Sequence, residues 1–122
     1  MILFIGGAYQ GKREYMKTIT GLCDAQIACG NTDAEGFAAI DQYHEVIRRQ
    51  LAEGVDPVKA LEQLVQEHPD VVLVCDEVGM GIVPMQKTER DYREAVGRTM
   101  CVAAQRAEAV YRVFCGIGQR IK

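Results

Sequence analysis

The 122-residue sequence predicts an α/β fold. The expected form is a three-layer sandwich around a mostly parallel sheet of about 4–5 strands. Three observations point to it. Short, continuously apolar runs at 2–5 and 71–75 read as strands buried on both faces. Between the strand candidates, apolar residues recur at spacings of three and four, the mark of one helical face. With 48% hydrophobic and 25% charged residues, the composition is that of one globular domain spanning residues 1–122.

The elements follow in order. Ile2-Leu3-Phe4-Ile5 stops abruptly at Gly6-Gly7, a buried strand entering a tight loop. Residues 12–21 read as a helix closed by Gly21, and 25–29 as a weaker strand ended by Gly30. Residues 31–36 are polar and form a loop. Two readings stand for the next stretch. Phe37, Ile40, Tyr43, His44, Ile47 and Leu51 keep helical spacing, yet 37–40 equally reads as a short strand ending at Asp41. Both take a helix to about Glu53, capped by Gly54. Asp56-Pro57 opens another helix, where the missing proline N–H costs nothing. Its apolar face is Val58, Leu61, Leu64 and Val65, and it ends near His68-Pro69. Residues 71–75 form the strongest strand and deliver Asp76-Glu77 at its carboxyl end. After a loop at 79–84, residues 86–107 read as a long helix with Tyr92, Val96, Met100 and Ala103 inward. Residues 110–115 are the last strand, ended by Gly116-Ile117-Gly118.

Charge and composition exclude several functions. Fourteen basic against seventeen acidic residues leave a net charge of −3, which excludes a general electrostatic grip on nucleic acid. No apolar run approaches the ~18 residues of a membrane span, and the apolar start lacks a basic n-region. Neither membrane insertion nor a signal peptide is expected. Five cysteines without a C-x-x-C fit neither a disulfide framework nor a zinc site, so a reducing, cytoplasmic compartment is expected.

The chemistry starts at the first loop. Gly6-Gly7-Ala8-Tyr9-Gln10-Gly11-Lys12 fits G-x-x-x-x-G-K, the phosphate-binding loop of P-loop NTPase-like folds. Its glycines let backbone N–H groups turn toward phosphate oxygens, Lys12 neutralises charge, and the following helix adds its N-terminal dipole. One position departs from the pattern. Arg13 stands where a Ser or Thr hydroxyl would bind Mg²⁺, and a guanidinium ligates no metal. Arg13 should add a second positive charge beside the phosphate site. The bland alternative is an outward Arg13 paired with an acidic neighbour.

At the end of the second apolar strand, Asp76 is a candidate to hold Mg²⁺ and Glu77 to orient a nucleophile. Both are candidate catalytic carboxylates, although acidic residues also simply cap strand ends. On the long helix, Arg93 and Arg98 are candidate substrate or phosphate contacts, against the plainer reading of a solvated face paired with Glu89, Asp91 and Glu94. Arg106, Arg112 and Arg120 read as surface residues. His44, at helical spacing, reads as a packing histidine and His68 as solvated.

The segment Glu77-Val-Gly-Met-Gly-Ile-Val-Pro84 resembles the signature of the adenosylcobinamide kinase / adenosylcobinamide-phosphate guanylyltransferase family, with Asp76 where Asn is usual. The first twelve residues, Arg90 through Gly97-Arg98, and the end from Cys115 to Lys122 are similar to that family too. The resemblance implies a P-loop fold and phosphorylation of a cobinamide-type substrate with ATP or GTP. It also implies a homo-oligomer, since members form trimers. It places Asp41 at the family's second acidic position, so Asp41 and Asp76 are the candidate metal residues. Guanylyl transfer in the family runs through a histidine segment that has no counterpart here, and the chain contains no tryptophan. A shortened member that binds a purine nucleotide and has lost that step is the leading expectation. The competing expectations are a non-catalytic nucleotide or phosphometabolite binder, which Arg13 favours, and a scaffold subunit.

Overall fold

The computed structural model describes residues 1–30, 35–78 and 83–122. Its strands are β1 (Ile2–Gly6), β2 (Ile27–Cys29), β3 (Ala39–Asp41), β4 (Val72–Asp76), β5 (Ala109–Phe114) and β6 (Ile117–Arg120). Its helices are α1 (Lys12–Thr20), α2 (Tyr43–Ala52), α3 (Pro57–Glu67) and α4 (Lys87–Arg106). One sheet runs in the order β2-β3-β4-β1-β5-β6. β1 to β5 are parallel, and β6 returns antiparallel to β5. The loop 31–36 and the loop 79–84 fall partly outside the described residues.

Each element has a local cause. The left-handed Gly21 (φ 75°) ends α1 and donates its N–H to the Lys17 carbonyl at 2.8 Å. Asp56 caps α3 by accepting the N–H of Val58 at 3.0 Å, with Pro57 in the first turn. The open question at 37–41 resolves as a strand. Ala39 and Ile40 are buried in the sheet, and Gln42 (φ 54°) breaks the extended chain so that α2 starts one residue later. A 3₁₀ turn at Asp24–Gln26 precedes β2, which is shorter than expected.

The sheet has one strand more than expected. Gly116-Ile117-Gly118 does not end the sheet: Cys115 (φ 52°) and Gly116 (φ 75°) make a two-residue hairpin loop with Phe114 opposite Ile117. Positive φ at both loop residues is what a type I′ hairpin requires.

Packing gives three layers. Leu3, Leu73, Cys75 and Val110 face α2, α3 and α4, joined by Tyr43, Ile47, Leu61 and Val96. On the other face Phe4, Val72, Val74 and Val113 meet Met16 of α1. Phe4 stacks on Tyr111 at 5.0 Å, and Tyr15 of α1 meets Phe4 edge-on at 6.1 Å. Among the described residues, no helix is long and apolar enough to cross a membrane. β1 lies between β4 and β5, where the strand order reverses, and such a switch point opens a crevice at the carboxyl ends of the strands.

Candidate functional site

The crevice is built around the loop that leaves β1. Gly6 passes so close to β5 that a Cβ there would lie 2.3 Å from the Val113 carbonyl oxygen. Only glycine fits that approach. Gly11 is left-handed (φ 83°) and swings the chain into α1, which puts Lys12 in the first turn. Lys12 is 7% exposed. Its Nζ donates to the Gly7 carbonyl at 2.7 Å and pairs with Asp76 Oδ1 at 2.6 Å. The loop is thus tied from its exit to its entrance, and the β1–β4 register sets Gly6 beside Asp76. Gln10 ties it to the hairpin. Its Oε1 accepts the Cys115 N–H and its carbonyl accepts the Gly116 N–H, both at 2.7 Å. Tyr9 stands fully exposed at the mouth with φ 60°.

Lys12, Arg13, Asp41, His44 and Asp76 line one open cleft of about 460 Å³, with residues 8–11 along its rim. β1, β3, β4 and the starts of α1 and α2 meet there. The sequence reading placed Arg13 as a second charge beside the phosphate site. In the structure it lines that cleft but also turns to acids, donating from Nη1 to Asp41 Oδ2 and from Nη2 to Asp24 Oδ1, each at 3.1 Å. Burial pulls the Arg13 pKa down, but those two bonds outweigh it and leave it raised. Asp24 also meets Lys17 at 3.0 Å, and the Lys17 bond, then Arg13, holds its carboxyl below the usual range. Asp41 is buried, and its other oxygen accepts the Gln42 N–H at 2.8 Å.

His44 is 8% exposed. Its Nδ1 accepts the Asp76 N–H at 3.2 Å, which assigns the proton to Nε2, 3.6 Å from Asp76 Oδ2. Asp76 therefore sits between Lys12 and His44. Beneath it the Cys75 thiol is pushed up to about 12, by burial first and by Asp76 next. Glu77 extends the β1–β4 pairing, its N–H reaching the Gly6 carbonyl at 2.8 Å. Its carboxylate is gripped by Arg112 of β5, Nε at 3.1 Å and Nη2 at 3.3 Å.

The cleft brings together Lys12, Arg13, Asp41 and Asp76 among the expected site residues, while Glu77 does not line it and is held by Arg112. Arg93 and Arg98 do not line it. Arg98 is exposed, pairs with Glu94 one turn earlier, and borders the end of α2 and the start of α3. α4 packs along those helices and carries the Arg98 position away from the loop. Sequence reasoning missed Asp24, Gln10 and His44 as structural partners and left Arg112 on the surface. The pairing of Arg112 with Glu77 had one signal. Arg112 lies inside an apolar strand and Glu77 just past the end of another, but bringing them together needs the strand order.

Mg²⁺, which the Arg13 position already disfavours, finds no ligand set among the described residues. Asp76 is held by Lys12 and Asp41 by Arg13, and position 13 offers no hydroxyl. Among the described residues, no group of three or more His, Cys, Asp or Glu side chains is arranged to hold a metal ion. The residues present do not fit the ion.

Comparison with known proteins now gives the lineage. Residues 45–121 match the family model described as cobinamide kinase / cobinamide phosphate guanyltransferase. A bifunctional adenosylcobalamin biosynthesis protein, CobU, of Salmonella typhimurium is 43% identical over 68 residues, 55% of this chain and 38% of that protein. The protein of the same description from Escherichia coli is 48% identical over 52 residues, 43% of this chain and 29% of its own length. The matched stretches thus span well under half of either relative.

Proposed function

The chain belongs to the cobinamide kinase / cobinamide phosphate guanyltransferase family, and from that premise we propose that it binds the phosphates of a purine nucleotide, ATP or GTP, at the loop 6–12. The observation that carries this reading is Lys12. It is buried, sits at the start of α1 behind a left-handed glycine, and lies at the carboxyl end of the central strand. Backbone N–H groups, helix dipole and ammonium converge there, the three elements of phosphate binding. A cobinamide-type acceptor for the terminal phosphate follows from the family, and Glu77, next along the chain from Asp76, is the candidate to face it. The guanylyl-transfer step lies outside the proposed activity, because the chain lacks the family's histidine segment and the Nδ1 lone pair of His44 accepts the Asp76 N–H.

The test is a calorimetric titration of the protein with ATP and GTP. Lys12→Ala should weaken binding at least about tenfold, or ~1.4 kcal/mol. Equal affinities of variant and wild type would sink the reading.

A second reading, a nucleotide or phosphometabolite binder without turnover, is favoured by the Arg13–Asp41 pair, which occupies the acid that a metal would need. Turnover of ATP in the presence of a cobinamide acceptor separates the two.

A further inference from the structure

The cleft's two cations are each paired with an acid before any ligand arrives, and its third acid, Glu14, lies 3.7 Å from Lys17 outside it. Lys12 is paired with Asp76, and Arg13 with Asp41. A divalent cation seeking those carboxylates must break both pairs and approach the fixed charge of a guanidinium. An incoming phosphate meets the opposite situation. It needs only to take the place of a carboxylate on Lys12 or on Arg13, and guanidinium forks hold phosphate and carboxylate alike.

The exchange strands neither acid. Asp41 keeps the Gln42 N–H at 2.8 Å, and the Asp76 side chain, 25% exposed, is open to water. Arg13 spends one terminal nitrogen on each of its two carboxylates, which leaves its Nε and further N–H donors uncommitted. Asp24, its second partner, has Lys17 to fall back on. Lys12 and Arg13 line the same cleft, so one polyphosphate can bridge them.

We infer that Arg13 does the work of the divalent cation in this site, so that a di- or triphosphate binds without Mg²⁺. The inference rests on the proposed phosphate binding at the loop. It adds what that reading leaves open, namely how the ligand's charge is neutralised.

The experiment is calorimetric titration with ATP and with inorganic pyrophosphate, in EDTA and in excess Mg²⁺. Wild-type affinity should be equal within about threefold in the two media. Arg13→Ser should lose at least about tenfold in EDTA and regain affinity with Mg²⁺. Asp41→Asn, which removes the competing carboxylate, should tighten binding in EDTA. Arg13→Lys keeps a charge but not the fork and should fall between wild type and Arg13→Ser. Circular dichroism checks that each variant is folded. If Arg13→Ser does not fold, the Asp41→Asn and Arg13→Lys titrations decide in its place. Wild-type binding that vanishes in EDTA but is present with Mg²⁺ overturns the inference and leaves nucleotide binding standing. So does loss of binding in Lys12→Ala with none in Arg13→Ser. No binding in either medium overturns both.

Discussion

A histidine nucleophile needs a free ring lone pair, and His44 has none. Nδ1 accepts the Asp76 N–H, and Nε2 carries its proton toward Asp76 Oδ2. Incubation with GTP, then denaturation and intact-mass measurement, should therefore show no added GMP; an adduct on His44 would refute the assignment. The same residue shows the limits of reading a site from sequence. Its helical spacing announced a packing role, and burial agrees, but the spacing held no hint of Asp76, thirty-two positions away. Lys12 and Asp76 were legible because the chemistry of each lies in its immediate neighbours, a glycine loop and an apolar strand. The partners of Arg13 were not, since Asp24 and Asp41 reach it only through the ordering of α1, β2 and β3. Arg98 misled for a related reason: a resemblance fixes a residue's place along a helix, while the packing of that helix decides which cleft it borders.

At the scale of elements, the β5–β6 hairpin holds the phosphate loop in place through Gln10. Its turn is built from an awkward residue. Cys115 has φ 52°, a left-handed conformation that costs a non-glycine residue roughly 1–2 kcal/mol. Asn tolerates that region and is the preferred first residue of a two-residue turn before glycine. Cys115→Asn should therefore stabilise the protein by about 0.5–1 kcal/mol, read as a higher urea midpoint at unchanged slope. Cys115→Val should do the reverse, and equal midpoints for the two would remove the turn from consideration. The turn also explains why β6 was not legible. Cys-Gly lacks the Asn-Gly or Asp-Gly signal, and Gly116 and Gly118 flanking Ile117 read as the end of structure. The parallel strands β1 and β4 were legible because burial on both faces makes them continuously apolar.

For the whole molecule, the core sets an alkaline limit to stability. Burial pushes the Cys75 thiol and the Tyr92 hydroxyl each up to about 12, and raises Tyr43 further. In the unfolded chain these groups ionise near 8.5 and 10. The folded state therefore holds protons that the unfolded state gives up, and stability is full below about pH 8 and drains as pH climbs toward 12. Urea unfolding at pH 8 and at pH 10.5 should show a falling midpoint, with a shallower fall in Cys75→Ala. A midpoint that rose with pH would contradict the burial of these groups. Thiol reagents at neutral pH should label exposed Cys23, Cys101 and Cys115 quickly and Cys75 only on unfolding. At this scale the layers and the parallel sheet were legible from alternating strand and helix patterns. The strand order was not, because no local pattern says which apolar run lies beside which.

That order has a consequence for the birth of the chain. β1, residues 2–6, is made well before either of its two neighbours, residues 72–76 and 109–114. At roughly 5–20 residues per second, the centre of the sheet waits several seconds with both of its edges bare. Throughout that time an apolar strand with unpaired N–H and C=O groups is an aggregation hazard. Only the synthesis of β5 closes it. The nascent chain is thus the state in which a chaperone has most to protect, and a stop codon anywhere before residue 109 leaves a central strand of the sheet permanently open on one side.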